Sequence, residues 1–373
     1  MSEVVLLIRS LEIGGAERQL VALAVGLRAR RVNVRVLTFY PGGALAGELA
    51  AAGVPVEDLG KTGRWDAAGF LARLVRRLRA LRPQVLYSFL PVSNVLAASM
   101  RPALRDMRVV WGVRASNMDL DRYDPLSRVA AWVEARLSRF ADAIITNSQA
   151  GREYHIQQGF PSERIQVIEN GIDTKRFGFD RAGRVRVRAE WGISDDDILI
   201  GVTARLDPMK GLETFIEAAA KASRENHMLR FVCVGEGEPG YAYLLRKKVG
   251  KAGLGKRFLW AGTRQDMPAV FSAFDIASSS SSFGEGFSNA VAEAMSCERV
   301  VVVTDVGDSA RIVGDCGRVV PARDAAALAL AFIQLAALSK EKRVALGARA
   351  RSRIASKFSV ERMVERTWDV LTR

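Results

Sequence analysis

Ile198-Leu-Ile-Gly-Val-Thr203 is a short, branched apolar run. Ala204-Arg205-Leu-Asp-Pro-Met-Lys210-Gly211 follows it, and Leu212–Ser223 then carries helical spacing. Strand, glycine-closed turn and helix make one half of a parallel βαβ unit. The alternation repeats outward in both directions. Upstream, strands are predicted at Val4–Ile8, Val34–Phe39, Val85–Phe89, Val109–Val113, Ala143–Thr146 and Ile165–Ile168. Helices at Ala16–Arg30, Phe70–Leu81 and Leu126–Phe140 lie between them. Downstream, strands are predicted at Arg230–Val234, Phe258–Ala261, Asp275–Ala277, Val300–Thr304 and Arg318–Val320. Helices at Tyr241–Ala252, Ala290–Met295 and Ala325–Ala337 alternate with them. Runs this rich in Val, Ile and Leu belong to parallel sheets covered on both faces. Two series of similar size predict an α/β chain of two Rossmann-like doubly wound domains in tandem. A ligand is then expected in a cleft between them, at the carboxyl ends of the strands.

The polar, aperiodic stretch Thr174–Gly183 marks the expected boundary, giving domains of 1–176 and 177–350 with a terminal helical segment at 351–373. Lys342–Arg373 reads as one helix whose apolar face carries Ile354, Phe358, Met363, Val364, Trp368 and Leu371. A length of 373 residues suits two domains, and 49% hydrophobic with 26% charged residues excludes a disordered chain. Three cysteines without CxxC spacing and two histidines predict neither a disulfide framework nor a zinc site; no metal is expected. A reducing, cytoplasmic setting follows. Residues 1–19 lack the basic region and long apolar core of a signal peptide, and no apolar run reaches about 18 residues. The net charge of +14 attracts anions without naming one. No nucleic-acid module is visible and the basic residues are dispersed, so no nucleic-acid partner is expected.

Three stretches carry chemistry. Gly14-Gly15-Ala16-Glu17 follows the first strand and opens a helix, where a backbone without side chains lets an anion approach. The spacing is not that of the dinucleotide fingerprint, since Glu12 stands where a glycine would be needed. Arg205 and Lys210 place two cations on one short connection, suited to gripping a diphosphate. Ser282-Phe-Gly-Glu285-Gly-Phe-Ser-Asn289-Ala-Val-Ala-Glu293-Ala-Met295 sets two carboxylates and the amides of Gly286, Phe287 and Ser288 around one helix start, with Ser288 as its expected N-cap. Carboxylates accept from sugar hydroxyls and amides donate to phosphate oxygens.

Taken together, GGAE at 14–17, VIENGIDTKRF at 167–177, ARLDPMKG at 204–211 and EGFSNAVAEAM at 285–295 resemble the retaining glycosyltransferases of family four. Asn170-Gly171-Ile172-Asp173 is similar to that family's NGVD-type motif, and Asp305-Val-Gly-Asp308-Ser-Ala-Arg311-Ile-Val to its DVGG…EIV stretch. The resemblance runs over most of the chain and implies the GT-B architecture, two Rossmann-like domains facing across a cleft. It implies transfer of a sugar from a nucleotide-diphospho-sugar, UDP- or GDP-linked, to a hydroxyl of a glycan or lipid-linked acceptor, without cofactor or metal. By the same resemblance Arg205, Lys210 and Glu285 are catalytic. Arg205 and Lys210 hold the diphosphate as it leaves, and Glu285 with the amides of Gly286, Phe287 and Ser288 faces the sugar and distal phosphate. Asn289 is a donor-binding position, Glu293 accepts from the ribose, and Gly14 and Gly15 close the diphosphate side. The terminal helix is expected to cross back to the first domain.

The chain departs from the family pattern at 110–117, where a histidine near the transferred sugar is absent; Arg114 or Asn117 is expected on the acceptor side. Cys297-Glu-Arg-Val300 replaces Cys-Gly-x-Pro, and Asp308 replaces the second glycine of DVGG. The helix Phe70–Leu81 sets apolar residues against Arg73, Arg76, Arg77 and Arg79, with Arg82 after it, which suggests contact of residues 70–82 with an anionic membrane at its cytoplasmic face. A solvated surface helix is the competing reading. His155, Trp111, Trp132 and Met295 are expected in structural or core roles. Two alternatives to transfer are a UDP-sugar 2-epimerase of the same architecture and a non-enzymatic basic lipid-binding protein.

Overall fold

The computed structural model describes residues 3–63, 66–101, 106–114 and 125–373. Seven parallel strands form the first sheet: β1 (Glu3–Ile8), β2 (Asn33–Thr38), β3 (Val56–Asp58), β4 (Val85–Phe89), β5 (Arg108–Val113), β6 (Ala143–Thr146) and β7 (Ile165–Val167). Six form the second: β8 (Ile198–Thr203), β9 (Leu229–Val234), β10 (Phe258–Gly262), β11 (Ile276–Ser279), β12 (Val300–Thr304) and β13 (Gly317–Val320). Each sheet is buried on both faces, which is why its strands read as unbroken apolar runs. In β1, Val4, Leu6 and Ile8 enter one hydrophobic cluster while Val5 and Leu7 enter another. In β12, Val301 and Val303 face one side and Val300 and Val302 the other.

The first sheet runs β3-β2-β1-β4-β5-β6-β7 and the second β10-β9-β8-β11-β12-β13. Each is a doubly wound, Rossmann-like sheet. The chain builds outward to one side, then returns to the middle and builds to the other. The reversal falls between β1 and β4 in the first sheet and between β8 and β11 in the second. Such a reversal, at the carboxyl ends of the two central strands, is the usual ligand position in sheets of this kind.

The chain divides into two compact units, Met1–Gly171 with Val360–Arg373, and Ile172–Ser359. The division lies five residues before the expected 176/177, because Ile172 and Phe177 are buried in the second unit's core. Thr174–Gly183 is not a plain linker. Asp180 caps the helix Arg181–Glu190, its side chain accepting from the Gly183 amide. The single helix expected over 342–373 is two, Lys340–Lys357 and Val360–Thr372. It breaks because the Phe358 carbonyl accepts from the Ile172 amide at 2.8 Å and Ser359 pairs with Ile172 as an isolated parallel bridge. Residues 351–359 therefore stay with the second unit, while Met363, Val364, Val370 and Leu371 enter a first-unit core.

Within the first unit, three elements hold successive residues just before Ile172. Arg366 pairs with Glu169 and donates to the Val167 carbonyl. Arg114 donates to Asn170. Gln19, buried on the helix Gly15–Ala29, donates to the Gly171 carbonyl at 3.0 Å and accepts from its amide at 2.8 Å.

The helix Ala67–Leu81 corrects the membrane reading of its apolar face. Phe70, Leu74 and Leu78 are buried, and Leu71, Val75 and Leu81 pack against the same cluster, so that face is core. Arg73 bonds the carbonyls of Leu59 and Gly60 and pairs with Asp66; Arg77 pairs with Glu57. Trp132 is a second correction, since it is 60% exposed with the Arg136 guanidinium 5.2 Å from its ring centre. Trp111 and Met295 are fully buried. His155 is buried, its Nδ1 2.7 Å from the Gly151 carbonyl, and burial holds its pKa below the ordinary value. Among the described residues no helix is long and apolar enough to cross a membrane.

Candidate active site

The second unit's reversal point collects most of the singled-out residues. Arg205 and Lys210 lie on the connection after β8, and Glu285 on the connection after the adjacent β11. Asp207 organises the first connection. Its Oδ1 accepts from the Met209 amide at 2.9 Å, capping the short 3-10 turn Pro208–Lys210, and its Oδ2 pairs with Arg205 Nη2 at 2.9 Å. The two cations therefore differ in setting. Arg205 is 69% exposed and Lys210 22%.

Lys210 Nζ lies 2.5 Å from Glu285 Oε1, and the same oxygen accepts from Ser281 Oγ at 2.7 Å. Burial alone would raise the Glu285 carboxyl. The Lys210 ammonium and the two hydrogen bonds outweigh it and hold the pKa below the ordinary carboxylate value. The connections are tied by backbone as well, Ser282 N donating to Met209 O at 2.8 Å and Ser280 Oγ to Lys210 O at 3.0 Å. Gly211 stands at φ +59°, and a Cβ there would meet the Ser280 carbonyl oxygen at 2.1 Å; only glycine permits both the conformation and the approach.

Glu285 leads into Gly286, Phe287 and Ser288, all buried, and then the helix Asn289–Ser296. Phe287 is anchored against Phe358, ring centres 5.4 Å apart. No backbone carbonyl among the described residues accepts from the amides of Gly286, Phe287 or Ser288. Ser288 occupies the N-cap position, but its side chain makes no capping bond, a departure from the expected role. Glu293 is half-buried in the second turn. The loop after β12 closes on the same segment. Asp308 N donates to Gly286 O at 3.0 Å, and Gly307, at φ +61°, has its Cβ position 2.1 Å from Glu285 O. The change at 308 thus stands directly beside the glycine-rich loop, and Gly307 is a supporting residue that sequence spacing alone did not single out.

In the first unit Gly14 is the N-cap of the helix Gly15–Ala29, in extended backbone, at the carboxyl end of β1. Its Cβ position lies 2.1 Å from Glu17 Oε2, so a side chain at 14 would displace the Glu17 carboxylate from its place over the helix start. Burial raises the Glu17 pKa. Arg114 follows β5. Its Nη1 donates to Asn170 Oδ1 at 2.7 Å, and its guanidinium lies 5.1 Å from the Phe89 ring centre. Asn117 lies outside the described residues. Among the described residues no group of three or more His, Cys, Asp or Glu is placed to hold a metal ion.

A cation pair, a buried carboxylate and a run of amides at one sheet reversal can bind a diphosphate and stabilise charge that develops on it. Comparison with known proteins fits this chemistry. Residues 13–176 match Glycosyltransferase Family 4 and residues 197–337 match Glycosyl transferases group 1. The chain is 30% identical over 260 residues to D-inositol 3-phosphate glycosyltransferase of Corynebacterium jeikeium (strain K411), covering 66% of this chain and 60% of that protein. It is 28% identical over 199 residues to alpha-D-kanosaminyltransferase of Streptomyces kanamyceticus, covering 52% and 50%. The chain thus spans about half to three-fifths of the length of the curated relatives it matches. The crystal structure of Anabaena Alr3699/HepE in complex with UDP and glucose superposes with a TM-score of 0.86 at 25% identity, covering 100% of both chains.

Proposed function

The chain belongs to the glycosyltransferases, family 4 in its first half and group 1 in its second, and from that premise we propose that it moves a sugar from a nucleotide-diphospho-sugar to a hydroxyl of a glycan or lipid-linked acceptor, with retention at the anomeric carbon and without a metal. The observation that supports this reading is the Lys210–Glu285 pair, which joins the two connections at the second unit's reversal point, with Arg205 on the first of those connections. A UDP-linked donor is favoured by the structural relative that holds UDP and glucose.

In this mechanism the bond between C1 and the phosphate oxygen breaks, and negative charge builds on the leaving diphosphate. Arg205 and Lys210 face that charge. Lys210 is held in place by Glu285 and by the turn that Asp207 caps, so little reorganisation is needed as the charge appears. The amides of Gly286, Phe287 and Ser288 serve the distal phosphate and sugar, Asn289 supports donor binding, and Glu293 takes the ribose hydroxyls. Gly14 and Gly15, at the start of the helix Gly15–Ala29, serve the diphosphate in this reading. The acceptor hydroxyl attacks the face the diphosphate leaves, and its proton passes to the departing phosphate oxygen, so no protein base is needed.

Synthesis of cell-surface polysaccharide or glycolipid at the cytoplasmic face of a membrane suits such an acceptor. With the apolar face of Ala67–Leu81 buried, the exposed Arg76, Arg79 and Arg82 are what residues 70–82 offer to an anionic surface. The test is incubation with UDP- and GDP-sugars and a panel of glycan and polyprenyl-phosphate acceptors, with and without EDTA. Acceptor-dependent release of nucleoside diphosphate, unaffected by EDTA, with the product anomer matching the donor by NMR, is expected. Turnover to an epimerised sugar without acceptor would overturn the reading.

A further inference from the structure

Arg114 carries a charge that no carboxylate among the described residues balances. It sits at the carboxyl end of β5, one strand from the β1/β4 reversal. Nη1 donates to Asn170 Oδ1 at 2.7 Å, Nη2 reaches Tyr87 Oη at 3.5 Å, and the Phe89 ring lies under the guanidinium. All three partners are neutral at physiological pH, and burial moves the Tyr87 pKa further up. Arg114 Nε is buried without a partner, and each Nη keeps a second N–H without an acceptor among the described residues. Of the other half-buried arginines of this unit, Arg35, Arg73, Arg77, Arg101 and Arg366 each lie against a carboxylate, whereas Arg108 and Arg164 donate to backbone carbonyls away from the carboxyl ends of the strands. A half-buried cation without a counter-charge is costly, and a ligand that supplies the charge removes the cost.

The flanking strands end on groups that are also unsatisfied. Ser93 Oγ, in the first turn of the helix after β4, and Asn147 Oδ1, immediately after β6, are buried without partners among the described residues. β4, β5 and β6 are hydrogen-bonded neighbours, so the three groups follow carboxyl ends of successive strands, on the edge where doubly wound sheets take ligands. Packing of the hydrophobic core explains none of these three groups.

We infer that this edge, centred on Arg114, binds an oxyanion, a phosphate or a carboxylate, carried by the acceptor. The description of the ligand as acceptor rests on the transfer reading; the anion site does not. The guanidinium fork pairs with two oxygens of such a group, which a lysine cannot match. Asn170 and Phe89 hold the fork in orientation without spending its charge.

The test uses the full chain saturated with UDP, so that the diphosphate position is filled, at physiological salt. Inorganic phosphate and acetate are titrated calorimetrically into wild type, Arg114→Lys and Arg114→Gln, with melting temperature recorded for each. Saturable uptake of phosphate, acetate or both by wild type is expected, weakened at least tenfold in Arg114→Gln and less in Arg114→Lys, with UDP affinity equal in all three. The anion preferred distinguishes a phosphorylated acceptor from a uronic-acid-like one. No uptake by wild type, or equal uptake by wild type and a folded Arg114→Gln, overturns the inference. Should Arg114→Gln not fold, undiminished uptake by Arg114→Lys overturns it instead. Failure of every protein to bind UDP counts against the transfer reading, and the dependence of anion uptake on Arg114 still decides this one.

Discussion

Lys210 and Glu285, 75 residues apart in sequence, meet at 2.5 Å and join the connections that follow two neighbouring strands. The carboxylate is 8% exposed, so the pair is more than a surface contact. It balances the charge of a buried carboxylate that also accepts from Ser281 Oγ.

Arg205→Ala and Lys210→Met are each expected to lower nucleotide-sugar turnover roughly a hundredfold or more, but they should separate in stability. Lys210→Met removes the counter-charge of the buried Glu285 carboxylate, a loss of about 3 kcal/mol at neutral pH. Arg205→Ala, at an exposed position, should leave the melting temperature nearly unchanged. The Glu285 pKa is held below its ordinary 4.5. The pair's contribution is therefore present above that value and lost as the pH falls through the depressed one. Chemical denaturation at pH 7 and pH 4 checks both points. Equal melting temperatures for the two variants would remove the role given to the pair.

Gly307→Ala tests the support of the glycine-rich loop. The new Cβ would press on the Glu285 carbonyl from a left-handed backbone, costing on the order of 2 kcal/mol. Donor affinity should fall with stability, since the same carbonyl begins the Gly286–Ser288 segment. Unchanged UDP binding, measured calorimetrically, would detach that loop from the donor.

Gln19→Ala removes both bonds to Gly171 and leaves that peptide's buried N–H and C=O without partners. A loss of about 2–3 kcal/mol is expected in urea denaturation, with Gln19→Glu recovering only the bond from the Gly171 amide.

Glu134 gives the chain a pH dependence near neutrality. Burial raises its carboxyl to about 7 despite the Asn94 amide at 3.1 Å. The unfolded group ionises near 4.5, so the folded state holds more protons between these values. This group's contribution is fully present below about pH 4.5 and is lost as the pH rises to about 7. The full span is about 3 kcal/mol. Glu134→Gln keeps an acceptor for Asn94 and should flatten the fall in melting temperature between pH 5 and 8, raising stability at pH 8. A slope identical to wild type would assign the dependence to another group.

What the sequence determined alone was the periodic part. A strand buried on both faces is apolar at most positions, so β1, β4, β8 and β12 were legible as short apolar runs, mostly of Val, Ile and Leu. The helices between them were legible where an apolar stripe was long enough, as in Leu212–Glu225. The three-residue β3 was not, because it carries Glu57 and Asp58 and has too few residues for a pattern. Spacing placed Arg205, Lys210 and Glu285 on loops between strands and helices, and it could do no more, since a loop's position depends on which strands become neighbours. Only the tertiary structure decided that β8 and β11 are adjacent, and hence that Lys210 faces Glu285. The same holds for the core burial of the Ala67–Leu81 apolar face and the exposure of Trp132, because one amphipathic pattern serves a core or a surface equally until the packing partner is in place. The break at Phe358–Ser359 was likewise invisible, since its cause is a hydrogen bond to Ile172 from nearly half the chain away.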